Sequence, residues 1–234
     1  MPQICAPSVM SSLTAKHTNN FLKVKLILFD LDGTLVDTMP DIAAAVNHAL
    51  AAHGLSERTL EEIRMFIGDG AEMLIRRACG DADQETAKLV SNDFMSYYWH
   101  HLYDFSKPYD GIYEAVSFLK AGGALLAVVT NKPSVAAKPI IDKFFSGLFD
   151  VVLGVSEPCD RKPQPTQAIK ASEMLGVSLD NAIMIGDSGT DVETAKNACC
   201  KSCAVLWGYR SADELSPFCP DMLVSSPSEL KSLI

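Results

Sequence analysis

The sequence has no excess of positive charge. Its 20 Lys and Arg stand against 29 Asp and Glu in 234 residues, which gives a formal net charge of −9. Proteins that bind nucleic acid draw much of their affinity from Lys and Arg that displace counterions from phosphates. The charge balance therefore argues against a nucleic-acid partner.

Long apolar runs are missing as well. The longest, such as residues 125–129, are far shorter than the roughly 18 residues that a membrane-spanning helix needs. With 48% hydrophobic and 21% charged residues, the composition is that of a folded protein, and a chain of this length buries roughly 70% of its unfolded surface. We expect a soluble monomer or homodimer with no membrane partner.

The cysteines show no pairing pattern. Seven cysteines are an odd number, and their irregular spacing argues against a disulfide framework and for a reducing compartment such as the cytoplasm. Cys200 and Cys203 form a CxxC, but the nearest histidine, His101, is far upstream and a second ligand pair for zinc is missing. We expect small buried thiols here rather than a metal or redox site.

Acidic residues are absent before Asp30. Acid-poor leading segments can be targeting peptides, but this one has no arginine and no apolar core flanked by a cleavage-like site. The pattern favours a disordered extension over residues 1–23.

Several short apolar runs lack alternation, which is typical of strands covered on both faces of a sheet. These runs are Lys25 to Phe29, Ala124 to Val129, Val151 to Leu153, Ala182 to Ile185 and Ala204 to Trp207. Helical patterns lie between them, for example at Ile112, Ala115, Val116 and Leu119. Alternating strands and helices predict an α/β fold with a doubly wound, mostly parallel sheet.

One interval, from Thr38 to Pro108, breaks this alternation because it contains helix signals but no convincing strand. A compact domain accommodates such an insert when the insert packs a small core of its own. We expect a helical cap at 39–108 and a catalytic core at 24–38 and 109–234. Its two connections lie side by side, so the cap can open and close over the core.

Acidic residues follow two of the apolar runs. Asp30 and Asp32 come directly after the first, and Asp187 and Asp191 come after the run at 182–185. Ligands of doubly wound sheets bind beyond the carboxyl ends of the strands, so these four residues should converge. Because their charges repel one another, a hard cation with oxygen ligands is required, most simply Mg²⁺.

Other residues near this edge supply groups for an anion. Lys162 adds a second positive charge, and Thr130 and Asn131, after another strand, offer a hydroxyl and an amide. Backbone N–H groups after Asp30 and at the start of the helix after Gly189 can also cradle an anion. The sequence therefore predicts a local phosphate site in a chain whose net charge is negative.

Asp30 and Asp32 suit phosphoryl transfer through an aspartyl intermediate. One carboxylate must be ionised to attack phosphorus, and the other must hold a proton for the departing alkoxide. A spacing of two in an extended segment places both side chains on the same side. The expected substrate is a small-molecule phosphate ester.

Four motifs in this order resemble those of the haloacid dehalogenase superfamily. They are Asp30-Leu31-Asp32-Gly33-Thr34, Thr130-Asn131, Lys162 and Gly186-Asp187-Ser188-Gly189-Thr190-Asp191. The resemblance implies a Rossmann-like core with Asp30 as nucleophile and Asp32 as general acid and then base. It also implies that Asp30, the Asp32 carbonyl and Asp187 bind Mg²⁺, with Asp191 and Ser188 just outside the ligands. Thr130, Asn131 and Lys162 would hold the phosphoryl group, and Gly33 and Lys132 complete the expected substrate contacts of the core.

Within the superfamily, further stretches resemble the phosphoglycolate phosphatase subfamily. They are Asp37-Thr38-Met39-Pro40-Asp41-Ile42, Ile67-Gly68-Asp69-Gly70-Ala71, Thr130-Asn131-Lys132-Pro133 and Arg161-Lys162-Pro163-Gln164-Pro165. This implies 2-phosphoglycolate as the substrate, with Gly68 and Gly70 in a cap loop that faces the site. Phosphatases for other small sugar or acid phosphates share most of these stretches, and Gly68 to Gly70 also fits a plain turn.

Several alternatives remain open. A sugar-phosphate mutase uses the same carboxylate pair, although Met39-Pro40-Asp41 lacks the histidine associated with mutases. A calcium-binding loop would need Gly and Glu where Leu35 and Asp41 stand. A phospho-accepting regulatory module would explain the Asp, Thr and Lys residues, but neither the insert nor the second carboxylate.

The helix after the last motif departs from the family pattern. Where the family usually has a glycine, this chain reads Asn197-Ala198-Cys199-Cys200. A cysteine in a left-handed cap conformation is strained by roughly 1 kcal/mol, so we expect a local difference at this helix end.

Overall fold

The structure is a computed structural model that describes residues 24–234, so the extension predicted at 1–23 lies outside the described residues. The strands are β1 Leu26–Phe29, β2 Val36–Asp37, β3 Lys107–Pro108, β4 Leu125–Pro133, β5 Val151–Val155, β6 Ala182–Gly186, β7 Lys201–Val205 and β8 Met222–Val224. The α-helices are α1 Met39–Ala52, α2 Leu60–Phe66, α3 Ala71–Cys79, α4 Gln84–His100, α5 Ile112–Ala121, α6 Ser134–Phe145, α7 Thr166–Leu175, α8 Gly189–Asn197 and α9 Ala212–Leu215. None of these helices is long and apolar enough to cross a bilayer.

Six strands form one parallel sheet in the order β5-β4-β1-β6-β7-β8. The central strand, β1, is fully buried. Its alternate residues enter two different apolar clusters, Ile27 and Phe29 in one and Leu26 and Leu28 in the other. Apolar side chains are therefore needed on both faces, which is why the β1 run shows no alternation. The predicted α/β, Rossmann-like doubly wound fold is confirmed.

Two strands at one edge differ from the prediction. β7 begins at Lys201, before the apolar run, and β8 was not predicted. Asp221, just before β8, accepts hydrogen bonds from the backbone N–H and the hydroxyl of Ser202 at 2.9 and 2.8 Å. Polar contacts thus hold this edge, and an analysis of apolar runs does not detect them.

The inserted cap consists of α1 to α4. Its two connections to the core, β2 and β3, pair antiparallel, so they lie side by side as expected. The unpredicted helix α2 begins with a capping box in which Thr59 and Glu62 bond each other's backbone N–H groups. α1 begins at Met39 and β3 ends at Pro108; the division into a cap at 39–108 and a core stays a prediction.

The cysteine prediction is correct only in part. Cys203 is buried in β7, as expected, but Cys199 is exposed and Cys200 is half-buried. Both cysteines lie between the end of α8 and the start of β7.

The local difference expected at the end of α8 is not found, because Cys199 takes the left-handed position itself. Cys199 has a φ of 55°, its N–H bonds the Lys196 carbonyl at 3.1 Å, and Cys200 N–H bonds the Ala195 carbonyl at 3.0 Å. This pair of hydrogen bonds is a Schellman motif, whose left-handed position is usually occupied by glycine. The motif forms here in spite of the cysteine side chain.

Replacing Cys199 with glycine should therefore stabilise the protein slightly. The substitution relieves roughly 1–2 kcal/mol of left-handed strain, and the greater freedom of glycine in the unfolded chain offsets about 0.5–1 kcal/mol of this gain. We expect a small rise in thermal midpoint for Cys199→Gly. Cys199→Ala, which removes the thiol but keeps the strain, is the control, and an equal rise in both variants would contradict the prediction.

Candidate active site

Three neighbouring strands of the sheet bring the predicted motifs to one edge. Asp30 follows β1, Thr130 lies in the last part of β4, and Asp187 follows β6. Because β1 pairs in parallel with both β4 and β6, the carboxyl ends of all three strands meet. Lys162 comes from the loop before α7 and is also buried here.

Three carboxylates surround one ammonium group. Oxygen atoms of Asp30, Asp187 and Asp191 lie within 4.8 Å of one another, and all three residues are buried. The Lys162 ammonium lies 2.6 Å from Asp191 Oδ1 and 2.9 Å from Asp30 Oδ1. One positive charge among three buried carboxylates leaves the cluster with an excess of negative charge.

This imbalance shifts the pKa values of two of the carboxyls. Burial raises the pKa of Asp187 to about 8, and the charges of Asp191 and Asp30 act in the same direction. Burial also raises the pKa of Asp30 to about 6, although Lys162 partly opposes the shift. Without a further cation, therefore, the predicted nucleophile loses its proton at a higher pH than an ordinary aspartic acid does.

The cluster suits a hard divalent cation. Asp30 Oδ1 is buried and accepts no hydrogen bond from the described residues, because Lys162 contacts it outside hydrogen-bond geometry. Carboxylate oxygens are the ligands that Mg²⁺ prefers. The side chain of Asp32 lies outside this cluster, so its predicted contribution to the metal site would be its backbone carbonyl.

Asp187 is held in place by its surroundings. It accepts hydrogen bonds from the Thr34 hydroxyl at 3.2 Å and from the Tyr209 N–H at 2.7 Å. Gly33 lies against it, and a Cβ atom there would approach the Asp187 Cγ to 2.7 Å. Only a glycine, which also accepts the positive φ of 82° found here, lets the two loops come so close.

The Asp191 carboxylate accepts hydrogen bonds both from the start of α8 and from Lys162. Its Oδ2 accepts from the N–H and the hydroxyl of Ser188 at 3.1 and 2.6 Å. Its Oδ1 accepts from Lys162 at 2.6 Å. Asp191 therefore fixes the position of the ammonium group; its place just outside the ligands stays a prediction.

Asp32 points toward the cap rather than toward the three carboxylates. Its Oδ1 accepts hydrogen bonds from the Thr38 hydroxyl at 2.6 Å and from the Lys132 ammonium at 2.9 Å. Burial disfavours the charged Lys132, but Asp32 outweighs this effect and the pKa of Lys132 is raised. The two carboxylates two positions apart thus have different partners.

Asn131 connects the core to the cap loop. Its side-chain amide donates to the Gly68 carbonyl at 2.9 Å and to the Lys162 carbonyl at 3.2 Å, and its Oδ1 accepts from the Lys162 N–H at 2.7 Å. Thr130 is fixed by Gln167, which bonds both its backbone N–H and its carbonyl. Gly68 and Gly70 therefore come close to the core, as expected for a loop that faces the site.

A cavity of about 70 Å³ lies between cap and core. It is lined by Asp30, Asp32, Ile42, Ile67, Gly68, Gly70, Ala71, Leu74, Phe94, Tyr98, Thr130, Asn131, Lys132, Pro133, Asp187, Ser188, Tyr209 and Arg210. Most of the predicted site residues thus share one cavity. The roles predicted for them, and for Gly33, Lys162 and Asp191 beside it, are taken up below.

Two neighbouring residues were missed by the sequence analysis. The Tyr209 hydroxyl accepts hydrogen bonds from the N–H groups of Thr38 and Met39, both at 3.0 Å, where the chain enters the cap. Arg210 donates to the Ile67 carbonyl at 2.9 Å. Both follow β7, so the rule that directed attention to the ends of the other strands would also have found them.

Comparison with known proteins identifies the family. A model of the haloacid dehalogenase-like hydrolases matches residues 27–205. The chain belongs to this family of hydrolases, as its four motifs predicted.

Two phosphatases and one solved structure are among the proteins that this chain resembles. The chain is 36% identical over 212 residues to a phosphoglycolate phosphatase of Aquifex aeolicus, covering 90% of this chain and 97% of the relative. It is 33% identical over 212 residues to an N-acetylmuramic acid 6-phosphate phosphatase of Pseudomonas aeruginosa, covering 89% and 94%. The crystal structure of a predicted phosphoglycolate phosphatase from Haemophilus somnus superposes with a TM-score of 0.85 at 30% identity, covering 90% and 98%.

The raised pKa values predict how stability depends on pH without metal. A carboxyl whose pKa is higher in the folded than in the unfolded protein lowers stability as pH rises from the unfolded value, near 4, through the folded value. Asp187→Asn removes this effect, and its amide can still donate to Thr34 while its carbonyl accepts from Tyr209. In EDTA, the variant should therefore gain thermal stability over the wild type, and more at pH 8 than at pH 5.5.

Added Mg²⁺ supplies the complementary measurement. It should raise the thermal midpoint of the wild type, more at pH 8 than at pH 5.5, because binding favours ionised carboxylates. Asp187→Asn should lose most of this rise. An equal effect of Mg²⁺ on both proteins would show that Asp187 is not a ligand.

Proposed function

We propose that this protein is a Mg²⁺-dependent phosphomonoester hydrolase that acts through a phosphoryl group on Asp30, with 2-phosphoglycolate as its substrate. The observation that carries the proposal is the buried Asp30 carboxylate, which forms an ion pair with Lys162 and lies two residues before a second carboxylate with other partners. Asp30 Oδ1 accepts no hydrogen bond from the described residues. The relatives named above as phosphatases support the same reaction.

The first step transfers the phosphoryl group to Asp30. A carboxylate oxygen of Asp30 attacks phosphorus, and the bond from phosphorus to the ester oxygen breaks. Asp32 gives its proton to the departing alkoxide, which leaves as the alcohol. Lys162, Thr130 and Asn131 hold the oxygens of the phosphoryl group.

The second step regenerates the carboxylate. A water molecule attacks phosphorus while Asp32, now deprotonated, accepts a proton from it. The bond between Asp30 and phosphorus breaks, and inorganic phosphate is released. Asp32 is protonated again at the end, so it acts first as acid and then as base.

The remaining groups determine the electrostatic environment of Asp30. Asp30, Asp187 and the Asp32 carbonyl would hold Mg²⁺, which when bound supplies positive charge for the phosphoryl oxygens and favours the ionised form of Asp30. Asp191 keeps the Lys162 ammonium next to Asp30 at 2.9 Å. Ser188 in turn holds Asp191.

The size of the cavity favours a small substrate. With the cap in contact with the core through Asn131 and Arg210, the cavity has about 70 Å³. A two-carbon phosphate ester suits this space better than a phosphorylated amino sugar. N-acetylmuramic acid 6-phosphate, named by one relative, is the second candidate and would need an opened cap.

Replacing either carboxylate tests the mechanism. Asp30→Asn should abolish turnover, because its amide is a poor nucleophile. Asp32→Asn should lower kcat about 10²- to 10⁴-fold for esters with poor leaving groups, because the alkoxide lacks its proton donor. Asp142→Asn, on the exposed side of α6, is the matched control. Full activity in either site variant would reject the assignment.

A comparison of substrates tests the choice of 2-phosphoglycolate and the alternative functions. The wild type with Mg²⁺ should hydrolyse 2-phosphoglycolate with a higher kcat/KM than sugar phosphates or N-acetylmuramic acid 6-phosphate. Phosphate release that continues over many turnovers excludes a phospho-accepting regulatory module, and the absence of isomerised sugar phosphate excludes a mutase. A preference for the amino sugar phosphate would overturn the choice of substrate but not of reaction.

A further inference from the structure

Tyr98 lines the cavity, and its hydroxyl makes no hydrogen bond within the residues that the structure describes. Tyr98 is on α4, is 5% exposed, and its ring stacks on Phe94 with centroids 5.4 Å apart. Its hydroxyl is buried and makes no hydrogen bond within residues 24–234. Leaving a buried hydroxyl unpaired is unfavourable, so a ligand that pairs with it gains affinity.

This hydroxyl lies next to the core residues at the cap side of the cavity. The Lys132 ammonium is 4.9 Å from the centre of the Tyr98 ring, and both residues line the cavity together with Asp32. Burial raises the pKa of Tyr98 to about 12, and Asp32 adds to this shift while Lys132 opposes it. The hydroxyl therefore keeps its proton and is available as a donor.

The rest of the cap wall is apolar. Among residues of α1 to α4 and their loops that line the cavity, Tyr98 is the only one with a polar side chain. The others are Ile42, Ile67, Gly68, Gly70, Ala71, Leu74 and Phe94. Apart from backbone groups, any polar contact from the cap to the organic part of a substrate thus comes from Tyr98.

Lys132 provides the complementary charge. Its ammonium is buried and contacts both oxygens of Asp32, at 2.9 and 3.2 Å. It carries three N–H donors, and it lies on the same side of the cavity as the Tyr98 ring. A hydroxyl donor beside an ammonium matches a carboxylate better than it matches a neutral group.

We propose that Tyr98 determines specificity by donating a hydrogen bond to the carboxylate of a small phosphorylated carboxylic acid, beside the Lys132 ammonium. This inference rests on the proposed function and names the residue of the cap that selects the substrate. The phosphate of such a substrate lies at Asp30, and its carboxylate extends toward α4.

The test compares two substrates that differ in one group. In 2-hydroxyethyl phosphate, a CH₂OH group replaces the carboxylate of 2-phosphoglycolate. Tyr98→Phe removes only the hydroxyl and keeps the stacked ring. We expect kcat/KM for 2-phosphoglycolate to fall roughly 10- to 100-fold, the range for a lost hydrogen bond to a charged group, and kcat/KM for 2-hydroxyethyl phosphate to change far less.

The neighbouring tyrosine is the matched control. Tyr97 stacks between His48 and His101, with centroid distances of 4.1 Å to each, and does not line the cavity. Tyr97→Phe should leave the preference between the two substrates unchanged. Tyr98→Phe should also keep or raise the thermal midpoint of the ligand-free protein, because it removes a buried hydroxyl that makes no hydrogen bond within residues 24–234.

Two results would overturn the inference. An equal loss on both substrates would show that Tyr98 acts only through packing of the cap, and no loss on either substrate would show that it does not contact the carboxylate.

Binding separates this inference from the proposed function. In an Asp30→Asn background with Mg²⁺, calorimetry should show that Tyr98→Phe weakens 2-phosphoglycolate binding roughly 10- to 100-fold. An unaltered dissociation constant would contradict the role of Tyr98 whatever the turnover. Binding that depends on Tyr98, in a protein whose wild type does not hydrolyse the ester, would support the inference and reject the hydrolase proposal.

Discussion

The balance of charge among buried groups is the constraint on which the site depends. Oxygen atoms of Asp30, Asp187 and Asp191 lie within 4.8 Å of one another, and the Lys162 ammonium contacts two of these residues, Asp30 and Asp191. A fold that buries three carboxylates around one ammonium has a place for a cation and for the anion that accompanies it. The glycine at position 33 and the hydrogen bonds to Asp187 maintain this unfavourable arrangement.

A second group of contacts separates the roles of two neighbouring carboxylates. Asp30 belongs to the negative cluster, whereas Asp32 is bound by Lys132 and Thr38 near the cap. Part of the difference comes from the segment that leads into the cap, because Thr38 lies there and the Tyr209 hydroxyl binds the same segment. Lys132 belongs to β4 of the core, so the environment of Asp32 depends on both cap and core.

Much of the core could be predicted from the sequence, and the edges could not. β1 and β6 are continuous apolar runs because both faces of the sheet are covered, so their positions could be read directly. β8 and α2 were missed because a three-residue strand and a seven-residue helix carry little periodic signal. In the site, residues directly after three predicted strands were found. Tyr209 and Arg210 were missed although they come just after the predicted run at 204–207, because no motif drew attention to them.

The central strands and the loops that carry Asp30, Asp32 and Asp187 follow from the sequence, because strand and loop are adjacent in the chain and their pattern is local. Which group faces which depends on contacts that form only in the folded protein. Thr34 bonds Asp187 across 153 residues, and Lys132 bonds Asp32 across 100. The fold also leaves the Tyr98 hydroxyl without a hydrogen bond within residues 24–234. Such partners are chosen by how distant segments of the chain pack together, and no local spacing encodes that packing.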